Sequence, residues 1–250
     1  MLIPTTRPTP ADLAHWQRYE ALARLHARNT RFRSRVDRAR TELLSFVGGG
    51  PCYAGVSWGK DSVALAALVA DLVPRVPLVW VRVEPDYNPD CPLVRDAFLA
   101  THPGLRYEEI VVERQTEGAY RAHGTLERGM ARVVEMLGTP RYLSGVRAAE
   151  SAARKRRHAV FGHASKNTCA PLSLWDGLDV FAFLVSRDLP IHPAYACTMG
   201  GLLDPVWLRV SPIGPLDTAV WERQGDGHGR AEWERRYYGA DKARIRAALR

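Results

Sequence analysis

The sequence predicts an α/β protein whose mainly parallel sheet lies between two layers of helices. Three observations carry that expectation. From residue 51 onward short apolar runs alternate with helical patterns. One run, Val76 to Val83, is β-branched and too continuous to leave one face in water. Gly48, Gly49, Gly50 and Pro51, strong helix breakers together, separate this region from a longer helical pattern before it.

That earlier pattern, Ala11 to Phe46, reads as helix. Leu13, Trp16, Tyr19, Leu22, Leu25, Phe32, Val36, Leu43 and Leu44 recur at roughly helical spacing with no proline between them. Arg24, Arg28, Arg31, Arg35 and Arg38 step by three or four, which predicts a shared basic side. A solvated surface is the commoner explanation of such a face, and nucleic-acid docking the sharper alternative.

Beyond the glycines, Cys52 to Ser57 reads as a strand and Val63 to Val73 as a helix. Strands follow at Val76 to Val83, Tyr107 to Val112 and Arg141 to Val146, with a helix at Leu126 to Leu137. Asp176 to Arg187 reads as a helix whose apolar face carries Leu178, Phe181, Ala182 and Val185. After Pro212 the pattern is irregular: Gly225 to Gly229 reads as loop and Ala240 to Leu249 as a terminal basic helix. The expected organisation is an N-terminal helical extension (1–50), a ligand-binding α/β domain (51–211) and a tail packed on it (212–250).

Composition narrows the class. With 46% hydrophobic and 25% charged residues over 250 positions, the chain has what a folded core requires. Its apolar stretches fall short of the ~20 residues that span a bilayer. Met1 to Pro10 carries Pro and Thr in place of a basic-then-apolar leader, so a cytoplasmic chain without membrane contact is expected. Cys52, Cys91, Cys169 and Cys197 form no CxxC pair, which favours buried free thiols, although a cluster drawn from distant cysteines stays open. A formal charge of +8 calls for an anionic partner.

Ser57, Trp58, Gly59, Lys60, Asp61 and Ser62 follow the first strand and open a helix, a junction where unpaired first-turn N–H groups can hold an anion. Gly59 lets backbone approach a phosphate, Lys60 adds charge, and Ser57 and Ser62 add hydroxyls. Asp61 fits beside an anion if it caps the helix or helps hold Mg²⁺. The Walker pattern GxxxxGK[ST] is absent. The segment instead resembles the PP-loop, SGGxDS, of the adenine nucleotide α-hydrolase superfamily, with Trp58 in place of a glycine. Members cleave ATP between the α- and β-phosphates, typically adenylating an acceptor.

Gly145, Val146, Arg147, Ala148, Ala149, Glu150 and Ser151, with Arg154 beyond, are similar to the GxRxxES element of the phosphoadenosine phosphosulfate reductase-like branch. The resemblance turns these arginines toward a nucleotide or substrate anion, and a guanidinium can grip two oxygens of one phosphate. Glu150 would orient an arginine or a metal. Arg154 to His158 reads as a basic loop. The runs Pro171 to Asp176, Asp179 to Phe181 and Leu189 to Tyr195 resemble the branch's "P-L-x-x-W…D-V…L-P-x-H-P-x-Y", where His192 is either a base or a packed structural histidine.

The resemblance implies a Rossmann-like fold, ATP with Mg²⁺, and an Mg²⁺-dependent pyrophosphatase or adenylyltransferase, in sulfur metabolism or nucleic-acid sulfur modification. Lys60, Asp61, Arg147 and Arg154 would be catalytic, with Asp61 on the metal. Ser57, Trp58, Gly59, Lys60, Asp61, Ser62, Val83, Gly145, Arg147 and Glu150 would bind nucleotide. The expected partners are an adenine nucleotide, an anionic acceptor such as nucleic acid, and a sulfur-carrier or thiol-donor protein; a homodimer is compatible. The reductases of the branch use a C-terminal cysteine, and none follows Cys197 in this sequence. Two alternatives remain: a sulfonucleotide reductase served by an external thiol, and a non-catalytic, nucleotide-gated nucleic-acid-binding module.

Overall fold

Five strands, β1 (Tyr53–Gly55), β2 (Leu78–Glu84), β3 (Tyr107–Glu113), β4 (Tyr142–Ser144) and β5 (Thr168–Cys169), form one parallel sheet in the order β3-β2-β1-β4-β5. The coordinates are a computed structural model describing residues 1–114, 122–210, 213 and 229–248. In β1, Ala54 lies opposite Leu78 on one side and Leu143 on the other. The chain lays down β1, β2 and β3 outward, then crosses back to place β4 on the far side of β1. A reversal of strand order opens a crevice at the carboxyl ends of β1 and β4.

Alternation along the strands divides the core into two faces. Ala54, Leu78, Trp80 and Leu143 face the larger core. There they meet α3 (Lys60–Leu72), α4 (Cys91–Thr101) and α7 (Gly177–Ser186). Tyr53, Val79, Ile110 and Val112 face α5 (Ala122–Leu137) through Met130 and Val133. The predicted α/β/α layering therefore holds. α3 is apolar on every side, and its residues from Val63 to Val69 are at most 1% exposed, as expected of a helix with no solvent face. α4 and the two-residue β5 are additional to the elements expected from the sequence.

The helix expected over Ala11 to Phe46 is two helices, α1 (Pro10–His26) and α2 (Thr30–Gly48). Asn29 breaks them apart: its side chain accepts the Arg31 N–H at 2.8 Å and caps α2, the role short amides take in preference to a helix interior. The arginine stripe is divided accordingly. Arg24 pairs with Glu20 and Asp188, Arg38 with Glu42, and Arg35 with Asp176 and Asp179, so three of the five serve internal ties. Trp16 and Tyr19 of α1 meet Phe181 of α7 edge-on.

Arg154 to His158, expected as loop, belong to α6 (Ala152–Phe161), which Ser151 caps by accepting the Arg154 N–H. The C-terminal helix α8 (Arg230–Ala248) starts ten residues before the expected one and bends at Tyr238. Trp233 donates to the Cys197 carbonyl at 2.7 Å and Tyr237 to Asp12 at 2.8 Å, fastening α8 to the fold. The expected loop at Gly225 and the end at Leu249 lie outside the described residues. Among the described residues, no helix is long and apolar enough to cross a membrane.

Candidate nucleotide site

The loop after β1 turns through Trp58, whose φ of 63° is a left-handed conformation that costs an L-residue ~1–2 kcal/mol. The reason for a tryptophan there is packing. Its indole is fully buried, with ring centroids 5.8 Å from Phe98 and 5.6 Å from Tyr107. Trp58 therefore anchors the loop from behind and leaves the cavity open; its expected place among the nucleotide contacts is corrected to a structural one.

Lys60 is 5% exposed, its Nζ 3.4 Å from Asp61 and 4.9 Å from the Tyr195 ring centroid. Burial pushes its pKa down; Asp61 opposes the shift and Arg147 adds to it. Its backbone N–H donates to the Tyr195 hydroxyl at 3.0 Å. The α3 ladder starts with Val63 N–H on Gly59, so the N–H groups of Asp61 and Ser62 precede it. Ser62 donates its hydroxyl to the Gly59 carbonyl at 3.0 Å, and Ser57 is exposed. Asp61 does not cap α3, because Gly59 holds that position. It instead accepts from Arg147 Nε at 2.5 Å.

Gly145, at the end of β4, is a contact point between the two loops. A Cβ there would lie 3.0 Å from the Asp61 carbonyl oxygen and 3.3 Å from the Ser62 nitrogen, both backbone atoms with little room to yield. Arg147 is 3% exposed, and its Nε lies 3.8 Å from Glu150, which also pairs with Arg154. The cavity between the loops holds about 430 Å³ and is lined by Ser57, Gly59 to Ser62, Arg147, Glu150, Arg154, Tyr195 and the strip Val206 to Val210. A second cavity of about 330 Å³ adjoins it, sharing Ser57, Asp61, Ser62, Glu150 and Arg154 and floored by Gly55, Val79 and Val81.

Ten of the eleven residues expected at the site are brought together, Trp58 as support. Val83 is the exception. It pairs with Val112 further along β2 and lines neither cavity; Val79 and Val81 stand where it was expected. Tyr195 and the Val206 to Val210 strip line the cavity in addition to the expected residues. Tyr195 had a signal, since it ends the L-P-x-H-P-x-Y run; the strip had none. His192 is buried, its pKa pushed down to about 3 by burial and by Arg7, and its Nδ1 accepts the Ala194 N–H. It is a structural histidine and not a base of the site. All four cysteines are free and buried, and burial raises each thiol pKa.

Residues 51–200 match the family model of the phosphoadenosine phosphosulfate reductase domain. The chain belongs to this family. Within the phosphoadenosine phosphosulfate reductase-domain family, a curated relative from Synechococcus, a phosphoadenosine 5′-phosphosulfate reductase, is 22% identical over 178 residues, 64% of this chain and 77% of its own. A solved phosphoadenylyl-sulfate reductase from Candida auris aligns with TM-score 0.45 and 14% identity over 61% of this chain and 81% of its own. The U34-tRNA thiolase NcsA from Methanococcus maripaludis, solved with its [4Fe-4S] cluster, aligns with TM-score 0.47 and 13% identity over 87% and 80%.

Proposed function

We propose that this reductase-domain family member is an Mg²⁺-dependent enzyme that cleaves ATP between the α- and β-phosphates to activate an acceptor. One observation carries the reading: Lys60, Arg147 and Arg154 converge with the amide end of α3 on one cavity at the sheet's switch point. Its 430 Å³ falls within the ~300–1,000 Å³ usual for small-molecule sites. The adjoining cavity, with Gly55, Val79 and Val81, offers an apolar seat for the base.

Asp61 and Glu150 fit a magnesium ion, because Mg²⁺ on phosphates usually takes one or two protein carboxylates and these two flank the same guanidinium. Bound there, the ion would neutralise charge as pyrophosphate leaves. Lys60 and Arg147 would hold the phosphates. Held by Asp61, Arg147 is oriented toward the cavity in advance of the substrate. No protein nucleophile is required, in keeping with the four buried thiols.

The test is product balance. Incubated with α-labelled ATP and Mg²⁺, the protein should release AMP, free or on an acceptor, and pyrophosphate in equal amounts, and Lys60→Met or Asp61→Asn should suppress both. Release of ADP and orthophosphate would sink the reading. The family match and the Synechococcus relative favour a second reading, a sulfonucleotide reductase served by an external thiol. Thioredoxin-dependent sulfite release from phosphoadenosine phosphosulfate, with no pyrophosphate from ATP, would select it.

A further inference from the structure

Beyond the nucleotide site, α6 carries Arg154, Lys155, Arg156, Arg157 and His158 in succession and no carboxylate. Lys155, Arg156 and Arg157 are exposed, as is Lys166 in the following loop, and none of the four forms an ion pair among the described residues. One face of the helix, Arg154, Arg157, His158 and Phe161, looks into a separate cavity of about 280 Å³. The opposite wall carries Tyr142, Thr168 and Ser173. Phe161 is 71% exposed at its rim.

Two buried polar groups on this cavity lack a hydrogen-bond partner among the described residues: the hydroxyl of Ser173, itself 3% exposed, and Nε2 of His158. Orphaned polar atoms call for an explanation, and a ligand supplies one. The cavity also adjoins the nucleotide site, because Arg154 lines both and Ser144 and Val146 line this cavity and the apolar one beside it.

We propose that α6 and this cavity bind a single-stranded nucleic acid, with one unstacked base in the cavity against Phe161 and the strand's phosphates on Lys155, Arg156, Arg157 and Lys166. A lone phosphate needs one or two cations, whereas Lys155, Arg156 and Arg157 are successive residues that fan around α6 and Lys166 stands beyond its end, a spread in direction that suits the repeating charge of a strand. An acidic protein would meet the cations but leave an aromatic cavity with hydrogen-bonding walls unused. Exposed rings interleaved with cations are the means by which proteins hold single strands, and a base enters a cavity only when unstacked. The binding stands on α6, Lys166 and their cavity; only the strand's role as acceptor rests on the ATP reading. In that role an oxygen or nitrogen of the strand would bond to the α-phosphorus as the α–β bridge breaks. Pyrophosphate would leave with the electron pair and the displaced proton would pass to water.

The test is fluorescence anisotropy of labelled single-stranded RNA, single-stranded DNA and duplex DNA, without ATP, between about 50 and 200 mM salt. The wild type should bind a single strand better than duplex. Arg156→Glu with Arg157→Glu should weaken binding at least ~10-fold and lower the salt slope by about two. Phe161→Ala should weaken it about tenfold with the slope unchanged, since stacking releases no counterions. Arg31→Glu with Arg33→Glu, exposed on α2, should change little. Unchanged melting temperatures would show that the variants fold. The proposal is overturned if the wild type binds no strand at low salt, if duplex is preferred, if the α6 variants bind like wild type, or if the α2 pair weakens binding as much. Because ATP is omitted, failure of the ATP reading leaves this outcome independent.

Discussion

The Tyr195 hydroxyl accepts the backbone N–H of Lys60 at 3.0 Å, so the phosphate loop is held by a side chain 135 residues further along the chain. The contact removes one first-turn amide from the set open to an anion. Tyr195→Phe leaves that amide without its buried partner and should lower stability by about 1–2 kcal/mol in urea titrations. An unchanged midpoint would show that the hydrogen bond contributes nothing.

Lys60 couples stability to pH. Its folded pKa lies below the unfolded value, so in the window between them the unfolded state holds a proton that the folded state has lost, and stability rises with pH there. Below that window the buried ammonium is a cost. Lys60→Met should therefore raise the urea midpoint at neutral pH and erase the alkaline gain, while slowing pyrophosphate release about 100-fold. A variant both less stable and fully active would contradict each half.

Gly145 is expected to resist the smallest enlargement. In Gly145→Ala the new methyl would press on backbone of Asp61 and Ser62, and overpacking of this kind costs ~1–3 kcal/mol. Nucleotide binding, followed by thermal shift with ATP and Mg²⁺, should weaken with it. Wild-type behaviour on both measures would mean that the two loops can separate freely.

Trp58→Gly restores the residue that the PP-loop pattern has at this position. It relieves ~1–2 kcal/mol of left-handed strain and forfeits an indole whose burial is worth ~3–5 kcal/mol, for a net loss of about 1–4 kcal/mol. Chemical denaturation would reveal it. Equal or greater stability would mean that strain outweighs packing here.

His192 ties stability to acid. With a folded pKa pushed down to about 3 against ~6.5 unfolded, it is neutral in the fold while the unfolded chain takes up a proton, so stability falls as pH drops below ~6.5. The slope is about 1.4 kcal/mol per pH unit until the folded pKa is reached. His192→Asn, which preserves a cap for the Ala194 N–H, should flatten that part of the profile. A profile of unchanged steepness would assign the acid sensitivity to other groups.

Sequence alone determined the strand–loop–helix at Ser57 to Ser62, the parallel sheet and the second loop at Gly145 to Glu150. Each is encoded by neighbouring residues: β-branched runs, glycines at turns, and apolar positions at a helical period. Asn29 was a legible local break, yet the apolar spacing on either side of it masked it. The two residues of β5 are too few to show any period.

Tertiary structure alone decided that Trp58 turns into the core, that Val79 and Val81 and not Val83 floor the second cavity, and that Tyr195 reaches back to Lys60. It alone set Arg147 on Asp61, across 86 residues of chain. The reason is range: backbone preference acts over a few residues, whereas these partners meet only after the sheet has closed and packing has chosen which side chains share a space.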